Sequence, residues 1–154
     1  MTDVATRGCD WHLTETLPRL LEEDLTLATA IELSLFTDAR AAPDEEIPDG
    51  SDDPRGWWGV IFDEIGAPPI GSKLWLLSRE KQTDLTLARA RRYARDALTW
   101  LILDSIATRV EVATSWITMG RMAIDVTITR KTGSDSAFGF VWDNLNTEIE
   151  RRAV

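Results

Sequence analysis

The segment from Arg109 to Arg130 restricts the fold of this 154-residue chain more than any other. It reads RVEVATSWITMGRMAIDVTITR, and on each side of Met119-Gly120 apolar or β-branched residues alternate with polar or small ones. Alternation with a period of two residues predicts a strand that has one buried face. Two such runs around a glycine predict a β-hairpin whose arms are each roughly 33 Å long.

The register of this hairpin follows from its apolar positions. A two-residue loop at Met119-Gly120 would pair Trp116 with Ala123 and mix apolar and polar side chains on both faces. A loop of three residues, Thr118-Met119-Gly120, brings the apolar residues into one row. It also places Gly120 in the left-handed position that a turn plus bulge requires. A one-residue shift would turn that row outward, so the sequence favours the three-residue loop. The predicted pairs are Trp116 with Met122, Thr114 with Ile124, Val112 with Val126 and Val110 with Ile128.

Two segments have the periodicity of amphipathic helices. Residues 25–41 follow the candidate N-cap Asp24, with Thr26 as an alternative cap, and Pro43 ends the pattern. Residues 84–107 carry a longer apolar stripe with Asp84 as the predicted cap, and span about 35 Å. Because this length nearly matches the hairpin arms, the longer helix is expected to lie across one face of the hairpin.

The remaining elements complete the predicted fold. Phe138, Phe140 and Trp142 alternate with smaller residues and predict a third strand, and Asp143 is expected to cap a short helix that runs through Arg151. The predicted class is α+β: a long amphipathic helix packed on a three-stranded antiparallel meander, with a second N-terminal helix.

One domain is expected over residues 25–154. It follows an irregular N-terminal segment, residues 1–24, that holds at most one short strand or turn. Within the domain, residues 42–56 are rich in proline, glycine and carboxylates, so we expect a solvated acidic surface loop.

Composition excludes several classes of protein. The net charge of −9 and pI near 4.6 disfavour nucleic acid and anionic lipid as partners. The single cysteine, Cys9, permits no disulfide within the chain. The first residues contain no apolar run typical of a signal peptide, and no segment approaches ~20 consecutive apolar residues. We therefore expect the protein to be made and assembled in a cytoplasm.

No motif identifies a catalytic or cofactor site. The only histidine, His12, forms one Cys/His pair with Cys9, and two ligands do not make a zinc site. The acidic loop leaves a metal site open as an alternative, although its spacing fits no calcium loop. Its carboxylates are Asp44, Glu45, Glu46, Asp49, Asp52 and Asp53. We expect no cofactor and no metal.

Paired carboxylates for a glycoside hydrolase cannot be selected from the sequence. Such an enzyme needs two carboxyl groups in a cleft, one of them with a raised pKa. Glu111 and Asp125 fall on the predicted outer face of the hairpin, and Glu64 and Glu80 flank the Trp75 segment. Nothing singles out a pair among the 26 acidic residues, so we expect a protein that is not an enzyme and keep a hydrolase as the alternative.

Several features suggest binding surfaces. The adjacent Trp57 and Trp58 are both core residues, or one of them is an interface anchor. The longer helix carries an unusual basic cluster that is either solvated or binds an acidic neighbour, formed by Arg89, Arg91, Arg92 and Arg95. A long hairpin with an uncovered edge is a template for a partner's strand.

Three runs of sequence together resemble one known family. They are Leu33 to Asp38 (LSLFTD), Arg55 to Gly59 (RGWWG) and Gly71 to Lys81 (GSKLWLLSREK). The chain resembles, from about Trp11 to Trp142, the Mu-like phage baseplate proteins of the gene-46 type. It is also similar in layout to the sheath initiators, which are wedge proteins of contractile tails.

The resemblance implies a structural role in the virion. It implies six copies around the tail hub, bound to other wedge proteins, with the hairpin presented to the first ring of the tail sheath. The isolated protein is expected to be a monomer or a small oligomer. The expected partner-binding residues are Trp57, Trp58, Lys73, Trp75, Arg89, Arg92, Val112 and Val126. The alternatives are a tail-associated peptidoglycan hydrolase (a muramidase) and a small acidic adaptor unrelated to phage.

Overall fold

The fold is α+β, as predicted. The computed structural model describes residues 4–7, 10–13, 19–56, 70–143 and 149–152. Strands β1 and β2 form a two-stranded antiparallel sheet, and strands β3 to β6 form a four-stranded antiparallel sheet in chain order. The elements are β1 Val4–Arg7, β2 Asp10–Leu13, α1 Arg19–Phe36, a 3₁₀ turn Leu74–Leu77, α2 Asp84–Ala97, α3 Trp100–Leu103, β3 Ala107–Thr118, β4 Arg121–Arg130, β5 Asp135–Asp143 and β6 Ile149–Arg152.

The predicted register of the β3–β4 hairpin is confirmed. All four predicted pairs are present, from Trp116 with Met122 to Val110 with Ile128. The bulge lies between Trp116 and Thr118, and Gly120 has a φ of +79° in the left-handed region. The predicted three-residue loop is wrong, because Thr118 pairs with Arg121 and the turn is the two residues Met119-Gly120. The predicted pairs are kept because the extra residue lies in the bulge instead of the loop.

The core lies between the four-stranded sheet and the helices. The inward row of β4 is fully buried, and it meets β5 through Phe140 and Trp142. On the other side, Ile31 and Leu35 of α1, the 3₁₀ turn, and Ala90 and Ala94 of α2 complete one continuous cluster. Burial of this apolar row drives the sheet onto the helices.

The prediction of one helix over residues 84–107 is wrong in its length. Helix α2 has 14 residues, about 21 Å, and the Oγ1 of Thr83, not Asp84, accepts the capping bond from the Thr86 amide. The chain turns at Leu98, resumes as α3 and ends in a Schellman motif. In that motif Ser105 has a φ of +60°, and the Ile106 amide donates to the Leu101 carbonyl at 2.9 Å. Strand β3 therefore begins at Ala107, inside the predicted helix.

The predicted boundaries of the first helix also change. Helix α1 begins at Arg19 and ends at Phe36, instead of covering residues 25–41. It ends there because residues 37–39 pair with Ser72: the Ser72 amide donates to the Thr37 carbonyl and the Ala39 amide to the Ser72 carbonyl, both at 2.9 Å. Upstream, β1 and β2 form two paired strands where the sequence predicted irregular structure with at most one strand.

The predicted C-terminal helix is wrong where the structure describes it, because Ile149–Arg152 form strand β6, while residues 144–148 lie outside the described residues. The described sheet therefore has four strands and not three. Arg151 pairs with Glu32 of α1 at 2.5 Å, and Arg152 pairs with Asp125 of β4 at 2.5 Å. The two arginines reach opposite faces of the sheet, as successive residues of a strand must. These ion pairs with residues distant in the sequence favour a strand over the local helix signal.

The acidic loop 42–56 has a defined structure. The Ala41 amide donates to the Pro54 carbonyl at 2.9 Å, which closes the loop at its base. Within it, Asp49 accepts from the Ser51 amide at 3.0 Å, and Ile47 packs against the core. Local Asx-type turns therefore supply the order that apolar burial alone does not. Among the described helices, none is long and apolar enough to cross a membrane.

Candidate partner-binding surfaces

Strand β3 is the outer strand of the four-stranded sheet. It has 12 residues, and no other described strand pairs with its outer edge. Pairing with β4 is regular between Arg109 and Trp116, with an irregularity at each end. A long regular edge presents unpaired N–H and C=O groups that another strand can bind.

Helix α2 and the residue Gln82 before it contact one face of β3. The hydroxyl of Thr114 donates to the Leu87 carbonyl at 3.0 Å, and the side-chain Nε2 of Gln82 donates to the Thr118 carbonyl at 3.0 Å. Both bonds fix the end of β3 next to the turn. The opposite face of this strand exposes Glu111, Ala113 and Ser115.

The two valines predicted at this surface lie in different positions. Val112 is in β3, and its side chain is buried in the core. Val126 is also buried and lies in β4, which pairs with β3 on one side and β5 on the other. The available edge therefore belongs to β3, and only Val112 contributes its backbone to that strand.

Lys73 and Trp75 hold the acidic loop against the rest of the chain. The Trp75 side chain is only 3% exposed, and its indole N–H donates to the Ala39 carbonyl at 2.8 Å. The Arg55 guanidinium lies 4.6 Å from the centre of the Trp75 ring, and Arg55 also pairs with Asp38 at 3.0 Å. Trp57 and Trp58 lie outside the described residues.

Glu45 is the carboxylate of the loop with the clearest electrostatic environment. Its Oε2 accepts from Lys73 Nζ and from the Ala42 amide, each at 2.7 Å. Partial burial raises the pKa of Glu45, but these hydrogen bonds and the charges of Lys73 and Arg92 outweigh it. The pKa therefore lies below its ordinary value of 4.5.

The substitution Glu45→Gln tests this pair through its pH dependence. A lowered folded-state pKa means that the ionised group stabilises the fold above the ordinary value and loses that effect as the pH falls through the folded pKa. At pH 7 we expect the substitution to lower the free energy of unfolding by less than about 1 kcal/mol, because the pair is partly exposed. Urea unfolding at pH 7 and in acid should show the difference from wild type shrinking below pH 4.5. Glu46→Gln removes the same charge at an exposed neighbour and controls for the change of net charge.

The predicted arginine cluster divides into separate parts. Arg89 donates to Glu80 and, at 3.4 Å, to the Tyr93 hydroxyl. The hydrogen bond to Tyr93, with that to Glu80, raises the pKa of Arg89 against the effect of partial burial. The Arg92 guanidinium lies 5.2 Å from the centre of the Tyr93 ring. Arg91 and Arg95 are exposed and form no ion pair within the described part of the chain.

A groove that the sequence analysis missed lies between α1, α2, α3 and residues 70–73. Its volume is about 790 Å³. Leu33, Ile70 and Leu103 stand at its sides with 47%, 43% and 65% of their surface exposed. The indole N–H of Trp100, in its wall, donates to the Ser34 hydroxyl at 3.0 Å. The available signal was Leu103, an apolar residue that falls outside the apolar stripe predicted for residues 84–107.

The three described carboxylates among those considered for catalysis each pair with a different arginine. Glu80 pairs with Arg89, Glu111 with Arg109 and Asp125 with Arg152, and Glu64 lies outside the described residues. Across the described ranges, no group of three or more His, Cys, Asp or Glu side chains could hold a metal ion. Cys9 and the His12 side chain are not among the residues described.

Similarity to known proteins identifies the family. The family described as phage protein GP46 matches residues 27–135, which is most of the chain. The chain belongs to the GP46 family of phage proteins. It is 41% identical over 143 residues to the baseplate protein gp46 of Escherichia phage Mu, in an alignment that covers 91% of this chain and 95% of that protein. It is 38% identical over 140 residues to the Mu-like prophage FluMu protein gp46 of Haemophilus influenzae, covering 87% and 91%.

The part of the chain that matches the GP46 family contains both surfaces described above. The groove is formed by residues between Ala30 and Asp104, and the β3 edge by Ala107–Thr118. Strand β6 lies beyond the matched residues. The GP46 region thus includes the exposed edge strand and the groove but not the whole four-stranded sheet.

Proposed function

We propose that this GP46 protein is a structural component of the baseplate of a contractile phage tail. It acts as a wedge protein that binds other baseplate proteins and presents the outer edge of β3 to the first ring of the tail sheath. The relative from phage Mu carries the name baseplate protein, which supports the general role. The observation that supports the finer role is the long β3 edge, with which no described strand pairs.

Strand addition suits this edge physically. Each residue added to a sheet satisfies backbone groups that would otherwise bond to water, and side chains on the two faces then select the partner. On β3 the outward side chains in the regular region include the small Ala113 and Ser115. They leave room for a partner strand with larger side chains on that face.

The predicted binding residues enter this proposal in two ways. Arg92 is exposed and Lys73 is half-buried, and both line the groove. We therefore propose that both contact another baseplate protein directly. Arg89 is bonded to Glu80 and Tyr93, and Trp75 is buried, so we propose that they position neighbouring residues. Trp57 and Trp58 remain proposed contacts from their place in the sequence.

The proposal includes a site of action and a copy number. The protein would be made in the host cytoplasm and incorporated in the virion as six copies around the tail hub. In isolation it would be a monomer or a small oligomer, because association costs several kcal/mol in lost freedom and ordering. The partners would be other wedge proteins and the sheath protein.

Two consecutive prolines in β3 test the edge contact. Along an edge strand the N–H groups of alternate residues point outward, so of Val112→Pro and Ala113→Pro one removes an outward donor and the other a bond to β4. The outward substitution should leave the fold intact, since proline is tolerated on the free side of an edge strand. We expect that folded variant to lose co-purification with the sheath protein of the same phage by at least tenfold.

Circular dichroism identifies which of the two variants keeps the fold. Val126→Pro is unsuitable as the binding test, because β4 is paired on both sides. Sheath binding at the wild-type level by a folded proline variant that lacks the outward donor would contradict strand addition at β3. If the wild type bound neither the sheath protein nor any baseplate protein, the structural role itself would be wrong.

A further inference from the structure

We propose that the groove between α1, α2 and α3 is the docking site for an amphipathic helix of a neighbouring baseplate protein, and that this helix carries Lys or Arg side chains. The inference deepens the proposed function and rests on it. It assigns the binding of another baseplate protein to a surface separate from the β3 edge.

The groove is built for apolar side chains. Leu33, Ile70 and Leu103 come from three separate parts of the chain, and all three expose aliphatic surface to the same space. Small side chains at Ala30 and Ala97 line it between them, which leaves a concave surface. Exposed apolar surface gathered around one concavity is typical of a protein-binding site, whereas single exposed leucines are ordinary.

The polar atoms of the apolar wall are already satisfied. Trp100 donates to the Ser34 hydroxyl, and that hydroxyl donates to the Ala30 carbonyl at 2.8 Å. An apolar side chain that covers this wall therefore breaks no hydrogen bond and leaves no donor unpaired. The chain of bonds also fixes the indole, so little side-chain freedom is lost on binding.

Charged side chains on the groove lining indicate the charge of its occupant. Lys73 and Arg92 lie near the carboxylate of Glu45. Asp96 and Asp104 also line the groove, are exposed and form no ion pair within the described residues. The complement is a helix whose apolar stripe fills the groove and whose basic residues lie beside Asp96 and Asp104. A second copy of this chain is a poorer occupant, because each copy carries a net charge of −9.

Matched substitutions test the apolar contact. Leu103→Glu places a charge at the groove, and Leu85→Glu places the same charge at a leucine of similar exposure, 71% against 65%, that does not line it. Each variant is titrated with the sheath protein and, singly, with each other purified baseplate protein of the same phage. We expect Leu103→Glu to weaken binding of one baseplate protein by at least tenfold and to leave sheath binding unchanged. Leu85→Glu should change neither.

A charge reversal tests the basic residues of the partner. The double variant Asp96→Lys/Asp104→Lys should weaken binding of the same baseplate protein by at least tenfold. Asp44→Lys/Asp52→Lys makes an equal change of net charge at exposed loop residues outside the groove and should not. Replacing the partner's basic residues with Glu should restore binding to the Asp96→Lys/Asp104→Lys variant and to no other.

A photo-crosslinking amino acid at position 103 identifies the occupant directly in assembled baseplates. The crosslinked peptide should come from another baseplate protein and combine apolar residues at helical spacing with basic residues. Crosslinking to a second copy of this chain, or to an acidic peptide, would overturn the inference. So would full baseplate-protein binding by Leu103→Glu.

The sheath readout keeps the two proposals apart. Unchanged baseplate-protein binding in all groove variants, together with sheath binding that depends on β3, would overturn the groove assignment and leave the proposed function standing. If the wild type does not bind the sheath protein but binds a baseplate protein through the groove, only the β3 contact is overturned. No binding by the wild type in either assay would overturn both.

Discussion

Replacing Gly71 with alanine is expected to lower the free energy of unfolding by about 2–4 kcal/mol. Gly71 has a φ of +111°, which L side chains rarely adopt, and a Cβ there would lie 2.5 Å from the Thr37 carbonyl oxygen and 3.0 Å from the Ala39 nitrogen. Neither atom can move away easily, because residues 37–39 are hydrogen-bonded to Ser72 on both sides of the contact. The substitution therefore forces apart the pairing that ends α1. Urea unfolding followed by circular dichroism measures the loss.

Gly133→Ala separates the steric clash from backbone strain. Gly133 also has a positive φ, +81°, but a Cβ there would meet nothing within 4 Å. Its expected cost is only about 1–2 kcal/mol, from the left-handed conformation. Equal losses in the two variants would show that the contact between residues 71 and 37 is not tight, and the explanation for the end of α1 would be wrong.

Replacing Phe140 with alanine is expected to cost about 3–5 kcal/mol, a large share of the roughly 5–15 kcal/mol that stabilises a typical domain. Phe140 is 1% exposed and lies in β5, where it pairs with Ile124. Its ring meets Phe36 of α1 edge to face, with the ring centres 5.7 Å apart. Truncation leaves a cavity between the sheet and α1 and removes this aromatic contact. Thermal unfolding should show a fall of about 2–4 °C for each kcal/mol lost.

Two comparisons locate the cause of that loss. Phe138 lies two residues earlier on the same face but is only half-buried, so Phe138→Ala should cost clearly less. A double-mutant cycle with Phe36→Leu and Phe140→Leu should give a coupling of about 0.5–1.5 kcal/mol for the aromatic pair. A coupling near zero would mean that the ring contact adds nothing beyond burial.

The hairpin was predictable because its signal is local. Alternation along Arg109 to Arg130 specifies which side chains share a face, and only one register brings the buried residues of both arms together. Gly120 adds a conformational requirement at one position. Nothing distant in the chain alters these choices, so the structure reproduces the predicted pairs.

The end of the long helix was not predictable from the same reasoning. Leu98 and Leu101 continue the apolar stripe of α2, and both are fully buried, so the pattern does not record that the chain turns between them. The turn ends with Ser105 in a left-handed position that glycine usually occupies. Serine gives little signal there, because the motif depends on the Ile106 and Leu101 backbone and on packing.

The binding surfaces, like the end of the long helix, depend on residues that are far apart in the sequence. Trp75 and Val126 are the large apolar residues that a reader of the sequence would expect at an interface, yet the fold buries both. The groove instead needs Leu33, Ile70 and Leu103, which no window of sequence contains together. Helix packing brings them to one place.

By itself, the sequence determined the α+β class, the hairpin register and the membership of the GP46 family, since periodicity and motif identity are properties of short segments. Only the tertiary structure decided where α1 and α2 end, that Ile149–Arg152 is a strand, and which apolar residues remain exposed. Those outcomes depend on partners far apart in the chain, such as Ser72 for residues 37–39 and Glu32 for Arg151. A local propensity of a few tenths of a kcal/mol per residue is overridden by such contacts, each of which contributes about as much or more.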